Sequence, residues 1–96
     1  MSSETTRLER DTEHHRYLVH FDGGGTAEAE YRRDGDVIDL YRTFVPTERR
    51  GEGLGSVMME AVMRGIAEDG LRVHPTCSYA AHYLSKHPEY NDLVVP

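Results

Sequence analysis

The chain has 96 residues, 38% hydrophobic and 29% charged, which describes one small globular domain and excludes a disordered polymer. A net charge of −6, with the 11 Lys and Arg residues scattered along the chain, excludes the basic stripe of a nucleic-acid binder. No run of about 18 apolar residues occurs, so no membrane span is expected.

Met1–Thr12 is polar and aperiodic and reads as a flexible tail, with the folded domain over 13–96. It lacks the apolar segment of a secretory signal, and the lone Cys77 can form no internal disulfide, so a cytoplasmic protein is expected. Arg16–Phe21 alternates Tyr17, Val19 and Phe21, a strand signal. Asp22–Gly25 is a turn, and Thr26–Arg33 is a second strand, with Ala27, Ala29 and Tyr31 on one face and Glu28, Glu30 and Arg32 on the wet one. After the turn Asp34–Asp36, Val37–Val45 is a third strand that Pro46 stops. From Leu54 the period changes: Val57, Met58, Ala61, Val62 and Ile66 fall at helical offsets, and Gly70 ends the helix. Met58, Met59 and Met63 are expected to fill the core or the underside of a cleft. Leu71–His74 is a short strand, Tyr79–His87 a second helix closed by Pro88, and Asn91–Val95 a final strand or a packed tail.

The chemistry concentrates in Arg49–Ser56, between the third strand and the first helix. A helix start offers unpaired backbone N–H groups and a partial positive charge. Glycines let an anion reach those amides, and arginine adds a planar donor fork suited to phosphate. A nucleoside-triphosphate loop is excluded, because no Gly-Lys precedes a Ser or Thr. The dinucleotide pattern fits poorly, since Gly51-Glu52-Gly53 is followed by Ser56 where a third glycine is needed. On these residues alone, a phosphate site and a bare glycine-rich turn both remain open.

Arg50-x-x-Gly53-x-Gly55 matches the pyrophosphate signature (Gln/Arg)-x-x-Gly-x-(Gly/Ala) of the GCN5-related N-acetyltransferases. Together with Val45-Pro46, His74-Pro75-Thr76-Cys77 and His87-Pro88-Glu89-Tyr90, it resembles the short YjdJ-type branch of that superfamily over Arg16–Val95. The resemblance implies a minimal α/β (α+β) fold in the order β-β-β-α-β-α. Its mixed, mostly antiparallel sheet would splay after Val45-Pro46 to form a coenzyme A cleft. It further implies acetyl-CoA as cofactor, with the pantetheine arm beside Phe44 and Val45. The pyrophosphate would lie on the amides of Arg50, Gly51, Glu52, Gly53, Leu54, Gly55 and Ser56. Full-length members carry acceptor-site helices where this chain passes through Gly23–Gly25.

Cys77 precedes a predicted helix, where a thiol's pKa falls and the thiolate is favoured. The short branch carries a cysteine here that is proposed as catalytic, as an acetyl carrier or as a proton donor to the leaving thiolate; the alternative is a packed thiol. In the wider superfamily a tyrosine matching Tyr83 often protonates that thiolate, against the alternative of a core aromatic. Tyr79, one turn earlier, is a lesser candidate, and His74 reads as a base or a packed strand residue. His14 and His15 would point to opposite strand faces, and His82 and His87 lie too far around a helix to chelate together, so no metal is expected. The expected function is acetyl-CoA-dependent N-acetylation of a small-molecule or peptide amine. The alternative is a non-catalytic acyl-CoA binder or sensor. The open acceptor side leaves room for a second copy of the chain, a homodimer.

Overall fold

The computed structural model describes residues 5–96. Strand β1 (Thr6–Asp11) and a 3-10 turn (Thr12–His14) precede β2 (Arg16–Phe21), β3 (Thr26–Asp34) and β4 (Val37–Phe44). A second 3-10 turn (Thr47–Arg49) leads into α1 (Leu54–Glu68), β5 (Arg72–Pro75), α2 (Ser78–Ser85) and a 3-10 segment (Pro88–Leu93). The five strands form one sheet in the order β1-β2-β3-β4-β5; β4 and β5 pair parallel and the other neighbours antiparallel.

The alternation read from the sequence is the alternation of burial. Tyr17, Val19 and Phe21 on β2, Ala27, Ala29 and Tyr31 on β3, and Ile38 and Leu40 on β4 all face the core. Helix α1 closes that face with Leu54, Met58, Met59, Val62, Met63 and Ile66, and α2 with Ala80, Tyr83 and Leu84. The opposite face carries Glu28, Glu30, Arg32 and Asp39 and stays open. No helix among the described residues is long and apolar enough to cross a membrane.

The expected tail is corrected over Thr6–Asp11, which pairs with β2 in unbroken register from Thr6↔Phe21 to Asp11↔Arg16. Residues 1–4 of that tail lie outside the described residues. Edge position explains why the strand was hidden: polar residues are tolerated there, and only Leu8 approaches the core. Leu8 packs on Gly65 of α1, while Arg10 pairs with Asp69 at 2.7 Å and Glu68 at 3.3 Å. His14 and His15 are not on a strand: His14 closes the 3-10 turn and His15 adopts φ 53 beyond it. At the other end, Asn91–Val95 forms no full strand; Val94 makes an isolated parallel bridge to Val73.

Two irregularities shape β4. Glu30 pairs with Arg42 but Tyr31 with Leu40, which leaves Tyr41 as the extra residue of a bulge. The bulge shifts the alternation by one, so Thr43, opposite the fully buried Ala29, points to the helix side. Registered pairing with β5 ends at Leu40↔Pro75, while β4 runs on to Phe44. The strands therefore separate before Val45-Pro46, at Leu40, where the Cys77 N–H donates to the Leu40 carbonyl at 2.8 Å.

Candidate active site

The gap between the parted strands opens into a cleft of about 390 Å³. Thr43, Phe44 and Val45 form one wall; Arg49–Gly51, Gly53–Gly55 and Met58 form a second; Tyr79 of α2 closes it. The loop and the start of α1 lie against this space for a local reason. Gly51 and Gly53 sit at φ 87 and 75, a region L side chains rarely adopt, and Gly53 is the N-cap of α1. A Cβ at either would meet no atom within 4 Å, so the loop backbone faces open space. No acidic side chain occupies the first turn of α1, and its unpaired N–H groups are left to attract an anion. Gly55 is glycine for a different reason: a Cβ there would collide with the Tyr79 hydroxyl and ring.

The two arginines of the loop have different work. Arg49 is fastened: Nε and Nη2 donate to the Glu52 carboxylate at 3.0 and 3.1 Å, and Nη1 donates to the Gly24 carbonyl. It thereby ties the glycine loop to the β2–β3 turn 25 residues away, a contact with no local sequence signal. It also pairs the Glu52 charge within the loop. Arg50 donates through Nε to the Val45 carbonyl at 3.3 Å, with its guanidinium 5.8 Å from the exposed Phe44 ring.

Cys77 is the N-cap residue of α2 and reaches Thr43, Sγ to Oγ1, at 3.5 Å across the parted strands. Burial opposes its ionisation and is the largest single influence. The Thr43 hydroxyl and the amides of Ala80, Tyr79 and Thr43 together outweigh it, and the thiol is held below its ordinary value. No capping hydrogen bond of full geometry is made, so this is attraction towards helix-start amides and not a fixed bond. Tyr83 lies elsewhere. It is 5% exposed, stacks on His87 with ring centres 3.9 Å apart, and does not line the cleft. Burial first, then the charges of Tyr90, Glu60, Glu89 and Tyr79, push its hydroxyl well above the usual tyrosine value. The tyrosine on the cleft wall is Tyr79, 39% exposed. Nor is His74 packed: its side chain is 45% exposed and faces Asp39. Among the described residues no three His, Cys, Asp or Glu side chains converge as a metal group.

A meander that diverges from a parallel strand, with a glycine loop opening a helix at the gap, is the arrangement that the resemblance to the acetyltransferases implies. The family model of the GCN5-related N-acetyl-transferase matches residues 16–93. Protein NATD1 of Xenopus tropicalis is 31% identical over 88 residues, covering 90% of this chain and 81% of that protein. Protein NATD1 of Homo sapiens is 30% identical over 84 residues, covering 85% and 74%. A GCN5-like protein of Staphylococcus aureus, solved in solution by NMR, superposes with a TM-score of 0.66 at 27% identity, over 99% of this chain and 91% of that one. The chain belongs to the GCN5-related N-acetyltransferase family.

Proposed function

We propose that the protein binds acetyl-CoA in the cleft and transfers its acetyl group to a primary amine. The observation that carries this reading is the open backbone at Gly51 and Gly53, just before α1, lining the cleft where β4 and β5 diverge. The site fits the cofactor by the chemistry of its groups. Amides of the loop and the Arg50 guanidinium hold the pyrophosphate, and the apolar wall of Phe44, Val45 and Met58 takes the pantetheine arm. Bound there, acetyl-CoA supplies an activated thioester. Strand β4 beyond the bulge presents backbone N–H groups around Val45 to the carbonyl oxygen, where negative charge develops. Cys77, hydrogen-bonded to Thr43 at the point of divergence, either receives the acetyl group or returns a proton to the leaving thiolate.

A second reading, an acyl-CoA binder without transfer, is supported by the direct β2–β3 turn through Gly23–Gly25, which leaves the acceptor side without helices. The two are separated by following coenzyme A release from acetyl-CoA with ethanolamine, spermidine and a lysine peptide. Release that requires an amine supports the transferase. Tight binding without release to any amine supports the binder.

A further inference from the structure

We propose that His74 is the base that takes the proton from the incoming amine, oriented by Thr76 and Asp39, and that the amine arrives from the open face of the sheet. The inference rests on the transferase reading above. Asp39 lies on β4 between the buried Ile38 and Leu40, so its side chain belongs to the open face. In the parallel register it stands opposite His74, which flanks the buried Val73 and takes the same face. Thr76 completes the group. Its hydroxyl donates to Asp39 Oδ1, and its oxygen lies 3.2 Å from His74 Nδ1, with that nitrogen 3.8 Å from Asp39 Oδ1.

The direction of each bond favours one tautomer of the neutral imidazole. A carboxylate only accepts, so the Thr76 proton goes to Asp39. The Thr76 oxygen is then left to accept, and the proton between it and the imidazole must sit on His74 Nδ1. In the neutral imidazole the Nε2 lone pair is then free, on a side chain 45% exposed. His74 is the last residue but one of β5, and the registered pairing of the two strands ends at the next pair, Leu40↔Pro75. Cys77 lies three residues on, at most about 10 Å along the chain. Around the imidazole, Asp39 is the facing carboxylate of β4, Arg32 of β3 approaches Asp39 at 3.9 Å, and Arg72 precedes on β5.

An amine reaches the protein mostly as its ammonium and must lose a proton before it can attack. Nε2 takes that proton. The nitrogen lone pair then forms the C–N bond to the thioester carbonyl carbon, the C–S bond breaks, and the second proton that the nitrogen sheds on becoming an amide passes to the departing coenzyme A thiolate. His74 afterwards releases its proton to water. The same base serves attack on an acetyl-Cys77.

Two arms test this. In the first, coenzyme A release is followed with ethanolamine, which is protonated at neutral pH, and with methoxyamine, which is not. His74→Gln is expected to slow the ethanolamine reaction about 10²–10⁴-fold, to remove the acidic limb of its pH profile and to leave methoxyamine transfer nearly intact. Asp39→Asn and Thr76→Val should fall between, and all three should keep the wild-type thermal shift with acetyl-CoA. Equal loss for both amines, or no loss, overturns the assignment. The second arm needs no substrate: ¹⁵N-resolved imidazole NMR of the intact protein should find His74 as the Nδ1–H tautomer and find that preference lost in Thr76→Val. An Nε2–H tautomer in the wild type overturns the proposal even if transfer is observed. Absence of transfer to every amine by the wild type overturns the transferase reading instead.

Discussion

At Cys77 opposing influences meet. Burial raises its pKa and the Thr43 hydroxyl and nearby amides lower it, with a net shift downwards. Iodoacetamide alkylation should therefore reach half its plateau at lower pH than for an ordinary cysteine, and acetyl-CoA should protect the thiol; an ordinary profile without protection removes Cys77 from the chemistry. The glycines make a second test. Gly53→Val puts a β-branched side chain at φ 75 and between ligand and backbone, so coenzyme A affinity should fall at least about tenfold by calorimetry. Unchanged affinity would move the phosphate site elsewhere. This loop was legible in the sequence because its chemistry is local: a helix start, glycines and arginine within a few residues. Which tyrosine meets the cleft was not. It depends on position along α2: Tyr79 in the first turn reaches the cleft wall, while Tyr83, one turn further on the same side of the helix, is covered by the core. The exposure of His74 was hidden for the same reason, since Asp39 and Thr76 are brought to it by the parallel β4–β5 register and the turn after β5.

Among the elements, β1 tests best how the fold is held. Its residues are mostly polar, and composition alone reads them as unstructured; only pairing with β2 and the Leu8–Gly65 contact make the segment a strand. The β1 amides that bond to β2 should exchange with solvent far more slowly than those of a free tail. Gly65→Val should drive Leu8 from its seat and lower stability by about 1–3 kcal/mol in urea unfolding, with coenzyme A affinity little changed because the proposed ligand loop lies at the other end of α1. Fast exchange throughout β1, or a neutral Gly65→Val, would mean that the strand is not docked. The strands of the meander were readable because alternation survives along β2 and β3. The Tyr41 bulge was not, because nothing in the alternation of β4 announces the extra residue that turns Thr43 towards Cys77.

Across the whole molecule, buried tyrosines set the alkaline limit. Burial pushes Tyr17 up from 10.0 to about 12 and raises Tyr31, Tyr83 and Tyr90 in the same direction. A group whose folded pKa is raised contributes stability that is whole below its unfolded value and is lost as pH climbs through the folded one. The urea midpoint should therefore hold to about pH 9 and fall steeply above about pH 10, together with tyrosinate absorbance. A midpoint flat to pH 12 would mean that these hydroxyls are not enclosed as described. The central claim, that the loop before α1 and the diverging strands make an acyl-CoA site, is tested most directly by thermal unfolding. Wild type and Gly53→Val are melted with and without acetyl-CoA and desulfo-coenzyme A. A ligand that binds only the folded state stabilises it by RT ln(1 + [L]/Kd), so wild type should melt higher with either compound, and Gly53→Val should fold yet lose most of the shift. No shift in the wild type at about millimolar ligand, many times a typical Kd, or an equal shift in Gly53→Val, would contradict it.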